Sequence, residues 1–176
     1  MADEFAAKVD RALFPNGTPP QSSFDATLEL YKVMVASSEA LVARRQGVNT
    51  FFLAVNGVLL TALGLIVGRG LNSYLEALGL VGLSITGGIL SVAWRGLLQS
   101  FGQLNTGKFA VINRIETLFT VAVYAGEWVA LGEGRDPNLY KSSTSRELWT
   151  PLTFLVAYVI AAVLSVLVLI GIIPVN

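Results

Sequence analysis

Any catalysis by this sequence would have to run on carboxylates. The chain has no histidine and no cysteine. That removes the commonest general base and metal ligand, together with any thiol nucleophile, thiolate metal site or disulfide framework. The acidic residues close enough in sequence to cooperate are Glu127, Glu133, Asp136 and Glu147. An enzyme built on them would be a hydrolase, with a carboxylate as general acid or base. They sit in a charged, turn-rich stretch, where a solvated side chain is the default. LGEGRDPN, from Leu131 to Asn138, lacks the Gly-x-x-x-x-Gly-Lys-Ser/Thr phosphate loop. Gly102 and Gly107 are not in a strand-to-helix setting either. No catalytic residue, metal site or cofactor is assigned.

Polar and small residues inside apolar runs are more informative. Asn49 and Asn56 are seven apart, on one face of a helix; an amide in lipid needs a partner. Ser84, Gly88, Ser91 and Arg95 share a face. Ala157, Ala161 and Ser165 form a small-xxx-small ridge, and Gly64 and Gly68 a GxxxG pair. Small residues let helix backbones approach, which in lipid replaces the hydrophobic drive. These ridges can pack within one chain, pack between chains, or line a pore. With so few internal faces, packing between chains is the expectation. Arg44, Arg45, Trp94, Arg95 and Trp149 flank the apolar runs. They read as membrane-interface anchors, the arginines snorkelling to headgroups.

The elements that carry these residues are helices, and the expected class is all-α. Hydrophobic residues make up 53% and charged residues 14% of 176, against roughly 25% charged in a soluble domain. Mean hydropathy is +0.64. Net charge is zero, which argues against nucleic-acid binding. Residues 1–24 read as a flexible amino-terminal tail, with Phe5, Val9 and Leu13 in line for a short helix and a Pro-rich linker from Pro15 to Ser23. They contain no signal-peptide core, so the first span is expected to act as its own targeting signal. Residues 25–49 read as an amphipathic helix, with Ser22 and Asp25 as a weak capping box. It continues without proline into a span over 50–67.

The second span covers 77–94, joined by a turn at Gly68–Ser73 that makes an antiparallel hairpin. Each span has 18 residues, about 27 Å of helix, enough for a hydrocarbon core of about 30 Å. Residues 95–149 are a helical and then irregular segment. Its apolar stripe through Phe101, Ile112 and Phe119 is expected to pack on the 25–49 helix, and Val121–Ser145 reads as irregular. Thr144 with Glu147 fits a capping box, and Thr150-Pro151 an N-cap followed by proline. A third helix over 150–173 carries the uncharged span Leu152–Ile173. Of the 12 basic residues only Arg69 lies in the hairpin turn. The positive-inside rule then puts the amino terminus and the long middle segment in the cytoplasm, and the carboxyl terminus outside.

Three tracts carry a family resemblance: LELYKVMVASSEALVARRQGVNTFFLAVNGVLL at Leu28–Leu60, SVAWRGLLQSFGQLNTGKFAVINRIE at Ser91–Glu116, and EWVALGEG at Glu127–Gly134. With the spans they cover about Asp25 to Phe154, and the sequence resembles the RipA-like octameric membrane proteins of bacteria. The resemblance implies an inner-membrane homo-oligomer, an octamer, with a cytoplasmic helical part; it transfers no reaction and no catalytic residue. The leading expectation is a non-enzymatic scaffold that organises a membrane patch or docks a cytoplasmic protein partner, with itself and membrane lipid as its other partners. The alternatives are a ring-shaped channel for ions or small solutes, and a membrane-bound enzyme using the acidic 127–147 segment.

Overall fold

The computed structural model describes residues 2–17, 23–70, 73–136, 138–140 and 146–173. The chain is all-α: α1 Ala2–Leu13, α2 Phe24–Gly68, α3 Tyr74–Glu116, α4 Val123–Ala130, a 3-10 turn Gly132–Gly134, and α5 Trp149–Leu169. α2, α3 and α5 are each long and apolar enough to cross a membrane. Neither long helix contains a proline, so nothing interrupts the backbone ladder. α3 runs through Gly102 and Gly107 without a break. Its start is a reciprocal capping box. The Ser73 N–H donates to Glu76 Oε2 at 3.2 Å, and the Glu76 N–H to Ser73 Oγ at 3.3 Å. The capping residues expected at Ser22 and Thr144 lie outside the described residues.

Two expectations are corrected. α5 is helical from Trp149, and Thr150 is not its N-cap; the Thr150 carbonyl accepts from Thr153 Oγ1 instead. The segment expected to be irregular holds α4. The short helix read within the amino-terminal tail is present over Ala2–Leu13. Asp10 pairs with Arg114, whose guanidinium lies 5.4 Å over the Phe14 ring, so α1 is anchored on α3.

The chain divides into two compact units, Met1–Arg44 with Phe101–Ser142, and Arg45–Ser100 with Ser143–Asn176. In the first, Ser38, Leu41, Ile112 and Ile115 are buried. Tyr31 reaches Glu116 and Lys108 reaches Ser37, so α2 and α3 run antiparallel there. Phe119 meets Phe24 and Tyr31 edge to face at 5.4 Å each.

In the second unit α2, α3 and α5 pack together. Ala77, Leu80, Ser84, Gly87, Ser91, Trp94 and Leu98 form the buried stripe of α3. Their three-and-four spacing is the heptad pattern that keeps one face on its partners. Pro151, Tyr158, Ser165 and Val168 are the buried residues of α5. Apolar clusters form around Phe52, Trp94 and Leu98, and around Leu63, Leu80 and Tyr158.

Candidate functional site: polar latches and exposed small-residue faces

In the second unit a polar latch joins all three spans. Arg45 Nε on α2 donates to Glu147 Oε2 at 2.8 Å, and Asn49 Nδ2 donates to the same oxygen at 3.0 Å. Trp94 Nε1 on α3 donates to Asn49 Oδ1 at 2.8 Å. The Arg45 side chain is 15% exposed, so this arginine does not snorkel as expected; the nearby carboxylate holds it. Trp94 is also corrected. It is 1% exposed and stacks on Phe52 at 5.6 Å with planes 4° apart. An indole with a buried N–H partner and a stacked ring gains more from the core than from the interface. Arg44 and Trp149 are exposed, and Arg95 is half-buried.

Deeper in the same unit, Asn56 is fully buried. Its Nδ2 donates to the Phe52 carbonyl at 2.8 Å, and its Oδ1 lies 3.5 Å from Ser91 Oγ, whose proton goes to the Gly87 carbonyl at 2.9 Å. Tyr158 Oη donates to the Asn56 carbonyl at 3.4 Å. Thus Asn49 joins α2 to α3 through Trp94, while the Asn56 amide donates to the backbone of its own helix, both inside one chain. Ser165 bonds the Ala161 carbonyl, and the buried Ser84 Oγ has no partner among the described residues. The Tyr158 ring lies on Gly87, where an added Cβ would come within 2.2 Å of Cζ. At Gly88 a Cβ would meet Leu155 of the same chain at 3.7 Å. Ala157 and Ala161 are half-buried. The faces expected to pack between chains are therefore corrected: Asn56, Ser84, Ser91 and Ser165 are buried by their own chain. Three helices suffice to enclose them because α5 seats along the groove of the hairpin.

In the first unit the central group is Glu116, buried at the last residue of α3. Its Oε1 accepts from Tyr31 Oη at 2.8 Å and from the Tyr124 N–H at 2.9 Å; its Oε2 accepts from the Ala125 N–H at 3.0 Å. The carboxylate thus caps the amino terminus of α4, where Ala122 provides no side-chain bond. Burial alone would raise the Glu116 pKa. The N–H groups of Tyr124 and Ala125, the Tyr31 hydroxyl and the Val123 backbone outweigh it and hold the carboxyl below its ordinary range. Burial first, then the bond to this carboxylate, pushes the Tyr31 phenol up. The cap acts from eight residues upstream, so a scan for local caps does not find it.

α4 keeps its apolar side chains outward: Val123 and Val129 are more than half exposed, as is the neighbouring Val121. The following turn is left-handed at Gly132, Glu133 and Gly134. Gly134 lies under Trp128, with an added Cβ only 2.9 Å from the ring. Of the acid–base candidates Glu127, Glu133, Asp136 and Glu147, the last accepts from Arg45 and Asn49. Glu133 pairs with Arg135, and Asp136 accepts from the Asn138 N–H.

Two further faces emerge only from burial. On α2, Gly47, Thr50, Ala54, Gly57, Thr61, Gly64 and Gly68 are all exposed. Their three-and-four spacing places them roughly opposite the buried stripe. A shallow groove there is lined by Ala54, Gly57, Val58, Thr61, Ala62 and Leu65. On α3, Gly79, Gly82, Thr86, Ala93 and Gly96 repeat the pattern, with the exposed Leu75 and Ile89 as its bulky members. The space around these glycines is open. Most exposed residues of α5 are bulky instead, among them Val156, Val159, Ile160, Val163 and Leu164. Of this set only Gly64 and Gly68 form a GxxxG motif in the sequence; the three-and-four spacing from Gly47 on α2 and from Gly79 on α3 marks the rest.

The sequence model of the octameric membrane protein family (8xMP) matches residues 28–168. Among curated proteins and solved structures, none matches the chain.

Proposed function

Since the chain belongs to the octameric membrane protein family, we propose that it is a non-enzymatic scaffold of eight copies in the bacterial inner membrane. In this reading the first unit, Met1–Arg44 with Phe101–Ser142, stands on the cytoplasmic side and docks a protein partner. The distribution of basic residues supports the orientation, since only Arg69 of the 12 lies between the first two spans. The observation that carries the docking role is α4. A buried carboxylate is committed to fixing a short helix whose valines remain exposed. Fixing an apolar surface in water has a cost that a partner's surface recovers.

Three measurements test the reading. Particles in mild detergent should have about eight times the 18.8 kDa chain mass; the mass of one chain overturns it. A cysteine at Ile173 should react with an impermeant thiol reagent on intact cells and one at Glu133 should not; the reverse overturns the orientation. Reconstituted into liposomes, the protein should pass no ions; ion flux would replace the scaffold with a ring-shaped channel.

A further inference from the structure

Eight copies that share one orientation in a membrane form a ring about the membrane normal. Each copy then offers two different surfaces, one to each neighbour. The second unit has two outward faces lined mainly by small residues, one on α2 and one on α3, whereas most exposed side chains of α5 are bulky. Bulky branched residues fill lipid well, while exposed glycines leave backbone uncovered unless another helix approaches.

Depth decides which residues meet. Rotation about the membrane normal keeps every atom at its own depth. Asn56 Oδ1 and Ser91 Oγ lie 3.5 Å apart, which sets those residues of α2 and α3 level. Counting outward in opposite directions, Ala54 is level with Ala93, and Thr61 with Thr86. Gly57 falls within one residue of Ile89, about 1.5 Å along the axis. Ile89, 64% exposed, thus lies at the depth of the groove around Gly57 on the α2 face. Resting on the octameric reading above, we propose that the ring closes by packing α3 of each copy against α2 of the next, with Ile89 seated in the groove at Gly57. The contact is a knob in a hole, flanked by small residues at which the backbones approach.

The chain has no cysteine of its own, so engineered pairs report without background. Chains carrying Gly57→Cys and chains carrying Ile89→Cys should cross-link in membranes when co-expressed, and neither should do so alone. The double variant on one chain should give a ladder ending at eight. Exchanging the shapes is the second measurement. Gly57→Ile should shift particles to less than half the wild-type mass, and adding Ile89→Gly should restore it. Wild-type particles of eight copies without the mixed cross-link overturn this interface and leave the octameric reading standing. Cross-linking by Gly57→Cys alone also overturns it, because α2 would then meet α2. A wild-type particle of one chain overturns both.

Discussion

Glu116 carries a negative charge that almost no water reaches, and its partners are hydrogen-bond donors rather than a cation. Two backbone amides and a phenol stabilise the ionised form, as they do in a carboxylate cap. Its folded-state pKa is depressed, so its contribution to stability is present above the ordinary carboxyl range. That contribution is lost as pH falls through the depressed value. The Tyr31 pKa is raised, so its contribution persists up to the ordinary phenol range and fades only as pH rises through the raised value. Melting temperature of the first unit should therefore hold from pH 9 to about pH 5 and drop below about pH 4. Glu116→Gln should lose on the order of 3 kcal/mol and remove much of the acid-side drop. Hydrogen exchange at the Tyr124 and Ala125 amides is the local readout. Unchanged exchange there in Glu116→Gln would mean that the carboxylate does not hold α4.

Among the elements, α3 and α5 depend on one close approach. The Tyr158 ring occupies the space a side chain at Gly87 would need. Gly87→Ala should force the two helices apart, at about 1–3 kcal/mol. Tyr158→Ala on the same background should cost less than on the wild type, because the two residues share one volume. Additive losses in thermal melts would argue against direct contact. The polar latch makes a second prediction. Trp94→Phe keeps most of the stack on Phe52 but leaves Asn49 Oδ1 without its indole donor. The expected loss is about 1–3 kcal/mol. Glu147→Ala should loosen α5 from α2, since Arg45 and Asn49 both donate to that carboxylate. Protection of α5 amides from exchange would report it. Bonds joining the helices inside one chain rationalise why a three-span chain can hold buried amides before any partner arrives.

At the scale of the whole molecule, the outward faces differ in kind. Val159 and Val163 on α5 are more than half exposed and sit among other branched residues. Val159→Trp and Val163→Trp should therefore leave the particle mass unchanged, because lipid accommodates a larger side chain. Gly64→Trp on α2 should lower it. Equal loss from both faces would mean that α5 also lies between copies. The first unit has its own control in Ile112, which is completely buried. Ile112→Asp places an unpaired charge in an apolar seam, at several kcal/mol, and should unfold that unit.

The all-α class, the three spans and the long α2 were legible in the sequence, because each follows from a local rule. Uncharged runs of membrane length must be helical in lipid, and an uninterrupted run without proline continues. The tracts around Arg44–Asn56 and Trp94–Glu116 also pointed to the family. Direction was less legible. Trp94 and Arg45 have the residue types of interface anchors, but whether such a side chain faces lipid or a neighbour depends on what lies opposite. Phe52, Asn49 and Glu147 lie 42, 45 and 102 residues away from their respective partners Trp94, Trp94 and Arg45 in the chain. The same holds for the small residues. Spacing places Ser84 and Ser91 on one face of α3 and Gly82 and Thr86 on another. Only tertiary packing decides that the first face is spent on α2 and α5 while the second stays open. α4 shows the limit most directly, since its cap comes from Glu116 across a turn and no local pattern records it.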